Sequence, residues 1–126
     1  MPRDPAAWAG VTIDCQDPGG TAAFWSALLD APSRPAGVGR HGWYRIGPVV
    51  PGGPVLNFQP VAEAKQGKAR LHLDLWVDEL ATAVARAEDL GAWRHGDIEV
   101  VPGRGSIAVM KDPEGNEFCL ISTEGV

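Results

Sequence analysis

Apolar and polar positions along the chain fall into two rounds of one rhythm. Residues 10–16 (GVTIDCQ) open with a period of two: Val11, Ile13 and Cys15 alternate with Thr12 and Asp14, the pattern of a half-buried strand. Asp17, Pro18, Gly19 and Gly20 then offer a cap and a turn. The period changes after them. Phe24, Trp25, Leu28 and Leu29 share one side of a 3.6-residue repeat, which predicts a helix within residues 21–30 that Pro32 and Pro35 stop. Strand-like stretches follow at residues 34–39, 43–50 and 54–61, separated by Gly- and Pro-rich turns.

The second round opens at residues 70–77 (RLHLDLWV), where Leu71, Leu73, Leu75 and Val77 alternate with His72, Asp74 and Trp76. Asp78 is placed to cap a helix over residues 79–90, with Gly91 suited to its end and Leu80, Val84, Ala87 and Leu90 as its apolar face. Strands are expected around residues 98–101, 105–111 and 116–122, with a strong turn signal at residues 111–116 (KDPEGN). Each half therefore reads strand, helix, three strands, and residues 57–61 align with residues 117–121. A period near 60 residues points to a duplicated module and not to a solenoid. The expectation is an α+β domain of two βαβββ modules, about residues 8–62 and 69–122, joined by the polar, Ala-rich linker at 63–69.

Composition narrows the function classes. A chain of 126 residues, 44% hydrophobic and 21% charged, can bury a core without staples. The net charge is -5 and the basic residues are scattered, which argues against nucleic acid and anionic membrane as partners. The first ten residues lack an apolar signal-peptide core, and no run approaches the ~20 apolar residues that span a bilayer. Cys15 and Cys119 have no metal or redox spacing, so a cytoplasmic protein with reduced thiols is expected. Of the five tryptophans, Trp8 and Trp25 are read as packing residues, and Trp43 and Trp76 as pocket walls.

The ordered combination of DP-x4-AFW-x2-LL (residues 17–29), RLHLDLWV, a helix ending in LGA (residues 90–92) and DPEGNEFCLI (residues 112–121) resembles the vicinal oxygen chelate superfamily. It is similar above all to the glyoxalase-like domains related to glyoxalase I, bleomycin-resistance proteins and extradiol dioxygenases. The resemblance implies a cupped mixed sheet with helices on the outer face and a small-molecule ligand in the concave face. On that fold Val11, Ile13, Cys15, Leu56, Phe58, Leu71, Leu73, Leu75, Phe118 and Leu120 would pack under the helices. Thr12, Asp14, Asn57, Gln59, His72, Asp74, Trp76, Glu117 and Cys119 would face the cup.

Metal-dependent members carry a ligand near the start of the first strand and another on the last strand of each module. Those places fall here on Gly10, Gln59, His72 and Cys119, with Glu117 two residues before the last of them. Gly10 has no ligand atom, and a thiol stands where such enzymes usually carry Glu. The implied reading is a pocket for a small oxygenated or aromatic metabolite without a conventional catalytic metal. Thr12, Asp14, Trp43, Asn57, Gln59, Trp76 and Cys119 would contact the ligand, and His72, Glu117 and Asp74 would supply any catalytic groups. Two alternatives stay open: a lyase or dioxygenase using Zn, Ni, Mn or Fe on His72 and Gln59, and a drug-sequestering binder. Asp14 and Asp74 could be paired acid–base carboxylates, or structural partners of Arg45, Arg70 or Arg94. Cys119 as a nucleophile would need a base such as His72. Asp112 in DPEGN is read as a turn residue. A homodimer is expected by analogy.

Overall fold

A computed structural model describes residues 5–103 and 105–123. The chain divides into two compact units, Met1–Ala64 and Lys65–Val126, with the boundary inside the expected linker. Both units are α+β, each with one helix and one mixed sheet. No described helix is long and apolar enough to cross a membrane.

The first unit contains β1 (Gly10–Cys15), α1 (Pro18–Leu29), β2 (Ser33–Pro35), β3 (Tyr44–Ile46) and β4 (Val55–Pro60). Its sheet runs β1-β4-β3-β2, with β1 and β4 parallel and the other pairs antiparallel. The parallel register sets Val11 and Ile13 opposite Leu56 and Phe58, so the apolar positions share one face. On that face lies α1, which contacts all four strands. Trp25, Phe58 and Ile46 are fully buried there, and Phe24 meets Trp25 edge to face at 5.5 Å. Asp17 caps α1 by accepting the Gly20 N–H at 3.1 Å. The helix ends at Asp30 in the left-handed region, φ 51°, before Pro32 is reached.

The second unit contains β5 (Leu73–Trp76), α2 (Leu80–Asp89), β6 (Trp93–Arg94), β7 (Glu99–Val101), β8 (Gly105–Lys111) and β9 (Glu117–Ser122). Its sheet runs β5-β9-β8-β6, with β7 also paired to β8. Again the outer pair is parallel and a helix covers one face: Leu80, Val84 and Ala87 of α2 lie over the sheet face that carries Ala108, Met110, Phe118 and Leu120. Asp112 ties the turn between β8 and β9. Its Oδ1 accepts the N–H groups of Glu114 and Asn116, both at 2.9 Å, and its Oδ2 accepts the Asn116 amide at 3.2 Å. Gly105 stands where a Cβ would come within 1.9 Å of the Ser122 carbonyl, so β8 reaches β9 there only without a side chain.

Several sequence expectations are corrected. The strand expected over residues 70–77 is shorter, because pairing with β9 begins at Leu73; Leu71, expected under a helix, is therefore 89% exposed. Glu79, not Asp78, caps α2: it accepts the Thr82 N–H at 2.9 Å, while the Asp78 carbonyl accepts the Ser122 hydroxyl. The segment after α2 forms two short strands, not one, because both Trp93–Arg94 and Glu99–Val101 find room along β8. Trp8, expected in the core, is 81% exposed, since residues 5–9 precede the first strand.

Candidate functional site

Each sheet hides one face under its helix and leaves the other without one. Side chains of alternate residues point to opposite faces, so the register decides which groups share the uncovered face. In the second unit Asp74 lies opposite Cys119. His72, two residues before Asp74, joins them: one ligand atom from each of His72, Asp74 and Cys119 lies within 4.8 Å of the others. His72 Nε2 is 3.2 Å from Asp74 Oδ1. The imidazole and the carboxylate are about half exposed, whereas Cys119 is buried. Burial pushes the Cys119 thiol up, the charge of Asp74 and the hydrogen bond to it push further, and Lys68 opposes them weakly. The thiol is accordingly a poor nucleophile as it stands.

Glu117 has another occupation. Its Oε1 accepts the Ala69 N–H at 3.0 Å, and its Oε2 is 2.9 Å from Lys65 Nζ. Burial raises its pKa, but the Ala69 N–H, Lys65 and its own backbone N–H together outweigh that and hold the carboxyl at about 2. Glu117 thus fastens the residues just before β5 to β9. Trp76 stands on the same face and is 74% exposed.

The uncovered face of the first unit is built differently. Thr12 lies opposite Asn57, which lies opposite Arg45, while Asp14 lies opposite Gln59. A depression of about 320 Å³ is lined by Ala9, Gly10, Thr12, Arg45, Val55 and Asn57. Arg45 donates its Nε–H to Asn57 Oδ1 at 3.0 Å, which orients the guanidinium. Asp14 is exposed and, among the described residues, forms no ion pair with Arg45; Asp74 is paired with His72 and not with an arginine. Trp43 lies just before β3, with the Arg40 guanidinium 4.5 Å from its ring centre. From the sequence Arg45 is expected only as a structural partner of Asp14 or Asp74, not as part of a pocket lining. Its signal was the alternation of Tyr44, Arg45 and Ile46, which turns the arginine away from the buried Ile46.

The register also corrects how the two modules are matched. Partners in the parallel pair are separated by the same number of residues in both units, Gly10 opposite Val55 and Leu73 opposite Phe118. Matching Gln59 with Cys119 therefore makes Thr12 the counterpart of His72. Matching Gly10 with His72 instead makes Asn57 the counterpart of Cys119. The expected quartet of Gly10, Gln59, His72 and Cys119 mixes the two matches. Under either one, the first unit offers no imidazole or carboxylate at these two places. A Cβ on Gly10 would also meet the Val55 carbonyl at 2.7 Å, so a ligating side chain there needs backbone movement. These donors do not fit the imidazole-and-carboxylate centre of metal-dependent relatives.

A family model described as a glyoxalase-like domain matches residues 10–121. Among solved structures, a glyoxalase/bleomycin resistance protein/dioxygenase family enzyme from Burkholderia phytofirmans is 18% identical, with 94% of this chain and 100% of that chain covered at a TM-score of 0.76. A variant of the fosfomycin resistance protein FosX from Listeria monocytogenes, complexed with Mn(II) and 1S,2S-dihydroxypropylphosphonic acid, is 16% identical, with 98% and 93% covered at 0.73. An oxidase, ChaP-H2, is 19% identical, with 95% of both chains covered at 0.68. These similarities are similarities of fold. No curated protein gives a significant match.

Proposed function

The chain belongs to the glyoxalase-like domain family, and from that premise we propose that it is a small-molecule pocket protein, binding or acting on a small oxygenated metabolite without the conventional metal centre. The observation that carries this reading is the depression of about 320 Å³ on the first unit, where Gly10 keeps the floor low and Thr12, Asn57 and Arg45 supply polar groups. The volume suits a small metabolite. Arg45 is half-buried, and its Nε–H is already committed to Asn57. Its other N–H groups form a planar fork suited to a carboxylate, a phosphonate or an enolate oxygen. Asn57 thus acts as a positioning residue for Arg45, and Thr12 adds a hydroxyl on the strand beside it.

The test is calorimetric titration of the whole protein with a panel of small carboxylates, phosphonates and phenols. Loss of binding on Arg45→Met, with unchanged circular dichroism, supports the reading. Full affinity in that variant overturns it. A second reading, an enzyme, rests on His72, whose Nε2 is 3.2 Å from Asp74 Oδ1, an arrangement that orients an imidazole as a general base. Product analysis after incubation with the bound compound separates the two: recovery of unaltered ligand marks a binder, and turnover lost on His72→Ala marks the enzyme.

A further inference from the structure

The thiol at residue 119 is the departure from a conventional centre that says most. Asp74 and Cys119 come from paired strands of one sheet and His72 from just before the first of them, so the group is complete within the second unit and needs nothing from the depression on the first. Its ligand atoms lie within 4.8 Å of one another. Bond lengths of about 2.0 Å to nitrogen and about 2.3 Å to sulfur place tetrahedral ligands roughly 3.3–3.5 Å apart, so the widest separation in the group would have to close by about 1 Å. His72 and Asp74 are exposed, so their side chains can make that adjustment by rotation. Cys119 is held in the packed part of the strand and would sit at the base of the site.

Donor softness then sets which ion is accepted. Carboxylate and carbonyl oxygens suit Mn(II) and Mg(II), whereas a thiolate beside an imidazole selects Zn(II) and its relatives. We infer that His72, Asp74 and Cys119 form a site for a single thiophilic divalent ion, Zn(II) or Cd(II), that discriminates against Mn(II). Binding forms an ion–sulfur bond at Cys119 and releases the thiol proton to solvent, with no redox change. Three protein donors leave one position of a tetrahedral ion to water or to an oxygen of a ligand. The inference stands apart from the ligand reading of Arg45, since the two concern different units.

Cd(II) titration of the reduced whole protein, followed by ultraviolet absorption, reads the ion–thiolate bond directly. The expected result is a charge-transfer band that saturates at one ion per chain, is lost in Cys119→Ser, is reversed by Zn(II), and is untouched by excess Mn(II). Zn(II) affinity should fall in His72→Ala by more than the ~10–100-fold that loss of an outer partner costs. His72 is exposed, so that variant should keep its fold, which circular dichroism checks. Cys15→Ser serves as the control: Cys15 is buried under α1 in the other unit, and its loss should leave the band intact. No band in the wild type, a band that survives Cys119→Ser, or displacement of Cd(II) by Mn(II) would each overturn the inference.

Discussion

The two units share a plan and differ in what they show on the uncovered face. Both pair the first and last strands in parallel with the same spacing, and both bury a phenylalanine of the last strand, Phe58 or Phe118, completely. On the first unit the open face carries Thr12, Asn57, Gln59 and an oriented Arg45. On the second it carries His72, Asp74, Cys119 and a clamped Glu117. The buried face must satisfy packing, which leaves little freedom. The uncovered face is chemically free, so duplicated modules can diverge there without loss of fold.

The strongest challenge to that comparison strikes both cores alike. Phe58→Ala and Phe118→Ala should each destabilise by about 3–5 kcal/mol, because each empties a fully buried site. Urea unfolding would show it, and a cost under about 1 kcal/mol in either variant would mean that the units do not share a packing role.

Next comes Glu117, which has no clamped counterpart on the first unit among the described residues. Its carboxyl is held at about 2, down from 4.5, so the folded state favours the ionised form. The associated stability is present above the unfolded pKa and is lost as pH falls through about 4.5 toward about 2. Glu117→Gln should remove it at neutral pH and flatten the acid limb over that interval. Superimposable acid-unfolding curves for the variant and the wild type would refute the assignment.

A smaller effect is expected at Gly10. Gly10→Ala forces a Cβ against the Val55 carbonyl at 2.7 Å and should cost about 1–3 kcal/mol, measured by thermal melting. Smallest of all, Trp76→Ala should change stability by no more than about 0.5 kcal/mol, because the side chain is largely exposed. A larger loss would show that the ring is covered in solution.

Much of the fold was legible because local patterns report local structure. The alternation in residues 10–16 and the cap at Asp17 led directly to β1 and α1. The same alternation put Asp74 and Cys119 on one face. What it could not supply was their adjacency, which depends on a parallel pairing between strands distant in sequence. The sequence expectation joined the match of residues 57–61 to 117–121 with the match of Gly10 to His72, and only the register shows that the two exclude each other. Glu117 had the right parity for a site residue, but its partners lie in the preceding linker, beyond the reach of any periodicity. Leu71 and Trp8 misled for one reason: an apolar residue beyond the end of a strand has no sheet face to join.

The clamp at Glu117 also bears on how the chain meets a protease. The connector is polar, Ala-rich and carries two lysines, features that invite nicking. Yet one carboxylate guards both tryptic bonds. It pairs with the Lys65 side chain, and it accepts the N–H of Ala69, the residue just after Lys68. Cleavage at either bond requires that carboxylate to let go, so the connector should resist digestion for as long as β9 keeps its hold on it.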